Sequence, residues 1–163
     1  MSTRAPVLAY IGLGANLGDA RATLAAALGD LERMPGVAAL RASSVYRSAP
    51  VDAAGPDFFN AVAEVQTTLN ATALLAGMQA IETAHGRHRP YRNAPRTLDL
   101  DLLLYGGGSI DSATLTLPHP RLHQRAFVLL PLLELAPEVQ HPRLGALAGY
   151  LDAVRAQRIE RVR

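Results

Sequence analysis

The chain contains no cysteine, no tryptophan and, among its 16 basic residues, no lysine. Without cysteine there are no disulfides, no thiolate metal sites and no cysteine nucleophile, a composition suited to a reducing compartment. Without lysine there is no Schiff-base chemistry and no phosphate-binding lysine of a Walker A loop. An anion must be held by arginine, by backbone N–H groups, by protonated histidine or through a metal. Long apolar runs are missing too: the stretch at residues 127–133 is far too short to span a bilayer. The N-terminal apolar stretch is interrupted by Gly12, Gly14 and Asn16 and reads as no signal peptide. We therefore expect a cytoplasmic protein.

What is present is ordinary globular composition. The 163 residues are 49% hydrophobic and 18% charged, enough for one domain, residues 1–163, with its own core. The net charge of +2 is unevenly spread. Residues 83–98 hold Arg87, Arg89, Arg92 and Arg96 with no acid, and residues 155–163 hold four arginines against Glu160. A patch this local suits a compact polyanion better than a nucleic-acid surface.

Periodicity gives the element order. Residues 7–12 read as a buried strand. Leu24, Leu28 and Leu31 mark a helix over residues 19–34, stopped by Pro35 and Gly36. Residues 37–47 read as one strand and residues 51–57 as a loop. From 58 to 68 the pattern alternates: Phe59, Ala61, Ala63 and Val65 share one face, and Phe58, Asn60, Val62 and Glu64 the other. Asn70 caps a second helix with Leu74, Met78 and Ile81 inward and Gly86 past its end. Residues 98–105 form a strand. Residues 127–135 and 144–158 are expected as helices, with Arg155, Arg158 and Arg161 on a solvated face of the second. The order β-α-β-β-α-β is the ferredoxin-like split βαβ, an α+β fold: an antiparallel sheet with helices packed on it and a C-terminal helical extension.

Leu98-Asp99-Leu100-Asp101-Leu102 is the strongest local signal. Strand alternation puts both carboxylates on one face, with Cα atoms roughly 6.5 Å apart. Two such charges repel, and a divalent cation between them removes that cost. Mg²⁺ suits such oxygen donors. The alternatives are a solvent-facing strand edge or acids paired with Arg96. The arginine-rich loop directly before them favours phosphate, because guanidinium groups bind it bidentately and stay charged. Metal-holding acids beside phosphate-holding arginines suit transfer from a nucleoside triphosphate. Gly12-Leu-Gly14-Ala-Asn-Leu-Gly18 has one residue too many for a dinucleotide fingerprint. We read its glycines as a tight strand-to-helix turn. His119 and His123 are four apart, but Pro118 and Pro120 argue against a helical zinc site.

The run RNAPRTLDLDLLLYG at residues 92–106 resembles the signature of the 6-hydroxymethyl-7,8-dihydropterin pyrophosphokinase family of folate biosynthesis. AYIGLGANLGD, SSVYRSAPV, DFFNAVAEV and LPHPRLHQRAFVLLPLLELAPE agree with it in order and spacing, from about residue 7 to residue 150. The resemblance implies transfer of the β,γ-pyrophosphoryl unit of ATP to the pterin hydroxymethyl oxygen, with release of AMP. It implies two Mg²⁺ ions on Asp99 and Asp101, with Arg87 and Arg96 also catalytic. Gln79, Glu82, Arg87, Arg89, Arg96, Leu102, Thr116, His119 and Arg125 match nucleotide-binding positions. Ser48, Val51, Phe58, Asn60 and Phe127 match pterin-binding positions. Asn93 stands where some members carry tryptophan. The partners implied are two small molecules, with no nucleic acid and no membrane, and the chain is expected as a monomer or weak dimer. Loops at residues 49–56 and 87–95 are expected to order on substrate binding. An RNA-binding module and a metal-dependent phosphohydrolase are the competing functions, the first disfavoured by the lack of an aromatic RNP-like run.

Overall fold

Alternation along β1 (Val7–Ala15) divides the interior into two cores. Ala9, Ile11, Leu13 and Ala15 face α1 (Ala20–Glu32) and α2 (Ala71–Ala84), whereas Tyr10 faces the opposite side. The computed structural model describes residues 5–16, 18–49, 56–86 and 98–162. Leu24 and Leu31 of α1 and Leu74 and Met78 of α2 are fully buried. Each such side chain contributes about 1.5–3 kcal/mol. Both helices begin where the sequence predicts. The Asp19 carboxylate accepts from the Ala22 N–H at 3.1 Å, and the Asn70 side chain accepts from the Ala73 N–H at 2.8 Å.

The strand expected over residues 37–47 is two strands, β2 (Val37–Ala42) and β3 (Val45–Ser48). Both pair antiparallel with β4 (Phe58–Thr67). The break is chemical. Ser43 donates its N–H to the Val62 carbonyl at 2.9 Å, but its hydroxyl, not its carbonyl, accepts from the Val62 N–H, also at 2.9 Å. A side chain has replaced one ladder partner, so the strand kinks. β4 pairs with β1, and β1 with β5 (Asp99–Tyr105), all antiparallel. The expected α+β split βαβ topology is therefore present. β5 carries a bulge: the register with β1 shifts between Tyr10 and Ile11. Leu98, Leu100 and Leu102 thus face the two helices, while Leu103 and Leu104 both face the other core.

On that other face lies α3 (Ala126–Leu135), after the short hairpin β6 (Ile110–Asp111) and β7 (Thr116–Leu117). Its C-terminal end is pinned by the sheet. Glu134 accepts from the Tyr46 hydroxyl at 2.6 Å and from the Ser44 N–H at 2.8 Å. Arg41 donates to the Leu135 carbonyl at 3.0 Å. The C-terminal extension is helical only in part. Of the helix expected over residues 144–158 only a 3₁₀ turn at Leu147–Tyr150 and α4 (Leu151–Val154) form; β8 (Gln140–His141) precedes that span, β9 (Gly145–Ala146) takes up its start and β10 (Ile159–Val162) follows it. Leu147 and Val154 do point inward, as a helical stripe would have them. However, Gly145 at φ 75° sits in the β8–β9 hairpin, and β10 gains ladder bonds to β3 that a helix would forgo. Arg158 and Arg161 accordingly lie outside any helix.

The β8–β9 turn makes stability sensitive to acid. The His141 Nδ1 accepts from the N–H groups of Arg143 and Leu144, both at 3.1 Å. Burial, the Arg143 charge and His123 push its pKa below the ordinary value. The unfolded chain therefore takes up this proton first as pH falls. The contribution is complete above about pH 6.5 and is lost as pH drops toward the folded value. Urea unfolding between about pH 7.5 and pH 5 should show a shallower pH slope in His141→Asn than in the parent. The slope should not vanish, because His119 is shifted in the same direction.

Candidate active site

The register across the sheet assembles the site in one row. Asp99 of β5 lies opposite Gly14 of β1, and Gly14 lies opposite Asn60 of β4. Asp101 lies opposite Gly12, which lies opposite Val62. The two glycines are interior strand residues and not the turn expected from the sequence; the left-handed turn residue is Gly18, at φ 60°. Lacking side chains, Gly12 and Gly14 leave a trough, with the acids on one side and the Asn60 amide on the other. Asp99 and Asn60 are two interstrand spacings apart, roughly 10 Å at the backbone. A Cβ on Gly14 would sit 3.2 Å from the Asn60 Oδ1, so the closeness of that amide is one reason for glycine there.

A cavity of about 750 Å³ opens over this trough, and Ser48, Phe58, Asn60, Asp99, Asp101, Arg125 and Phe127 all line it. Phe58 and Phe127 are half-buried, whereas Phe59 packs against the α1–α2 core. Asn60 is only 4% exposed, and its Nδ2 donates to the Ser48 Oγ at 2.9 Å. The Arg125 guanidinium lies over the Phe127 ring, 5.5 Å from its centroid. A smaller cavity, about 320 Å³, is lined by Gln79, Glu82, Asp101, Leu102, Thr116 and His119. Asp101 borders both. The structure thus separates the predicted residues into two groups that meet at one carboxylate. Arg125, predicted with the nucleotide group, lines the larger cavity instead. Arg87, Arg89, Arg96 and Val51, and most of the two loops expected to order, lie outside the described residues.

Glu82 does more than line a wall. It is 4% exposed, and its Oε2 accepts from the Leu100 N–H at 2.8 Å. That bond fixes the backbone between the two aspartates. His119 is held on both sides: its N–H donates to the Leu103 carbonyl at 3.0 Å, and its Nδ1 accepts from the Arg121 N–H at 3.2 Å. Burial pushes the imidazole pKa down, Arg125 and Arg121 push the same way, and Asp101 opposes them. With Nδ1 accepting, the neutral ring carries its proton on Nε2 as a donor. His123 takes no part; its ring packs edge-on to Tyr150 at 5.2 Å.

The family model for 7,8-dihydro-6-hydroxymethylpterin-pyrophosphokinase matches residues 10–137. The chain belongs to this family. It is 42% identical over 154 residues to the 2-amino-4-hydroxy-6-hydroxymethyldihydropteridine pyrophosphokinase of Pseudomonas aeruginosa, covering 94% of this chain and 95% of that one. It is 41% identical over 142 residues to the enzyme of the same name from Bacillus subtilis, covering 85% and 84%. Wild-type Plasmodium falciparum HPPK-DHPS shares the fold, with a TM-score of 0.73 at 14% identity over 93% of this chain. This chain spans only 45% of that longer one.

Among the cavity residues that the sequence reading did not place in the site are Arg121, Gln157, Arg158 and Ile159. The last three come from the misread C-terminal segment and reach the cavity only through tertiary pairing. The glycine floor was legible in principle. Two glycines spaced by two within a strand clear one face of it.

Proposed function

We propose that the chain transfers the β,γ-pyrophosphoryl unit of ATP to 6-hydroxymethyl-7,8-dihydropterin, giving the pterin diphosphate and AMP, as a single domain over residues 1–163. The observation that carries this is the meeting of the two cavities at Asp101. An acceptor in the larger one and a triphosphate in the smaller one would face each other across that carboxylate. The hydroxymethyl oxygen attacks the β-phosphorus and gives up its proton to water. The bond between the β-phosphorus and the α,β-bridging oxygen breaks, and that oxygen leaves with AMP.

The residues divide the work. Phe58 and Phe127 sandwich the ring, and the buried Asn60 amide pairs with its polar edge. Ser48 holds that amide, and Val51 is assigned to the pterin with it. Gln79, Glu82, Leu102 and Thr116 border the nucleotide. Arg87, Arg89, Arg96 and the His119 Nε2–H meet phosphate oxygens, whose charge shifts during transfer, and Arg125 reaches the transferred unit from the larger cavity. Asp99 and Asp101 fit Mg²⁺: both are oxygen donors on the face that the glycines clear, and Mg²⁺ takes one or two carboxylates with phosphate and water. Two ions bound there would neutralise triphosphate charge. The larger cavity and its aromatic walls support a heterocyclic acceptor over water, and so a transferase over a phosphohydrolase. Two small-molecule substrates, no nucleic acid and no membrane, a cytoplasmic setting and a monomer or weak dimer complete the proposal; among the described residues no helix is long and apolar enough to cross a membrane.

Nucleotide product analysis tests the reaction. Incubation with ATP, Mg²⁺ and the pterin alcohol should yield AMP and pterin diphosphate in equal amounts. ADP as the product, or AMP released without consumption of pterin, would contradict the assignment.

A further inference from the structure

The C-terminal segment forms a wall of the larger cavity, and one of its side chains ties that wall to another. Helix α3 begins at Ala126, and its N-cap residue Arg125 makes no side-chain capping bond. The first N–H groups of a helix have no partner within it. Gln157 supplies one from 31 residues away: its Oε1 accepts from the Ala126 N–H at 2.8 Å. Its Nε2 donates to the Gln124 carbonyl, also at 2.8 Å. One amide therefore brackets Arg125 and fixes the backbone directly before Phe127. Two residues on, Ile159 pairs with Ser48 in the β10–β3 ladder. Ser48 in turn holds the Asn60 amide.

We infer that Gln157 is a positioning residue of the reaction, setting Phe127 on one wall of the cavity against Ser48 and Asn60 on the other. The inference rests on the pterin-binding role proposed for this cavity. A primary amide suits the task because it both donates and accepts. A side chain of the same length that can do neither leaves the α3 N-terminus uncapped and the Gln124–Ala126 backbone free to shift. Ring stacking depends on the separation of Phe58 and Phe127, so the loss falls on the pterin and spares the smaller cavity.

Steady-state kinetics on the full chain test this with Gln157→Met, Phe127→Ala and the double variant. Gln157→Met should raise KM for the pterin about tenfold, with KM for ATP within about twofold. In the Phe127→Ala background the same substitution should have little further effect, because the two act as a unit. An unchanged pterin KM in Gln157→Met, an equal rise in both KM values, or full additivity with Phe127→Ala would overturn the inference. If Phe127→Ala itself leaves the pterin KM unchanged, the pterin reading of the cavity falls and the inference with it. If Phe127→Ala responds and Gln157→Met does not, only the inference falls. Should Gln157→Met melt below the assay temperature, Gln157→Glu carries the same cycle, since it keeps the acceptor for the Ala126 N–H and loses the donor to Gln124.

Discussion

Asp101→Ala should lower kcat by about a thousandfold or more. The thermal midpoint should move by no more than a few degrees, as for a substitution worth under about 1 kcal/mol. The two expectations follow from different features of the same residue. Asp101 is exposed, and its strand is held by groups other than its side chain. Leu100 and Leu102 on either side are buried in the α1–α2 core. The Leu100 N–H is taken by Glu82, and β5 runs in register with β1 through Gly12. The fold therefore has several supports at this point besides this carboxylate. The proposed chemistry depends on it heavily, because among the described residues it is the one predicted site residue that borders both cavities. With the charge gone, a Mg²⁺ held as proposed would lose a donor at the boundary between the two cavities, and the triphosphate would lose part of its neutralisation. Asp99→Ala should fall in the same direction. AMP release assays with a Mg²⁺ titration, alongside thermal melts, check both expectations. A kcat within tenfold of the parent would mean that the paired acids are a strand edge and not a metal site.

The sequence was most informative where local pattern and tertiary demand coincide. The alternation from Phe58 to Val65 sorted side chains correctly, because a strand with a core on each face must alternate. Asp19 and Asn70 marked helix starts because capping is a contact within four residues. Asp99 and Asp101 share a face for the same local reason. The misreadings all involve distant partners. Ser43 breaks a strand by bonding Val62 across the sheet, which no neighbour of Ser43 reveals. The stripe through Leu147 and Val154 predicts inward positions correctly, yet a stripe is compatible with short turns as well as with a helix. What decides between them is the free edge of β3, which β10 occupies. Gln157 is the extreme case: an exposed polar residue after a short helix, whose significance exists only once α3 has folded beside it.

Asn60→Ala should lower kcat/KM for the pterin by about a hundredfold or more, with KM for ATP within about twofold. The direction of the amide makes the case. One N–H of its Nδ2 is taken by the Ser48 hydroxyl, and its Oδ1 lies beside Gly14, at the edge of the trough. The carbonyl oxygen and the second N–H are left for an incoming ring, and the polar edge of an aminopyrimidinone offers N–H donors to the first of them. Alanine leaves those donors buried against an apolar wall without a partner, which costs more than the hydrogen bond itself contributes. Ser48→Ala should act in the same direction but less strongly, because it frees the amide to rotate without removing it. Gly14→Ala presses a methyl group against the same oxygen at 3.2 Å and should raise the pterin KM without touching any group in the smaller cavity. If instead Asn60→Ala raised the two KM values together, the amide would be serving the sheet and not the substrate. The four-strand row from Asp99 through Gly14 and Asn60 to Tyr46 would then be a packing solution that happens to border a cavity. The ordering Asn60→Ala, then Ser48→Ala, on the pterin alone separates these cases, because a purely structural amide gives no reason for its hydrogen-bond partner to share its substrate selectivity.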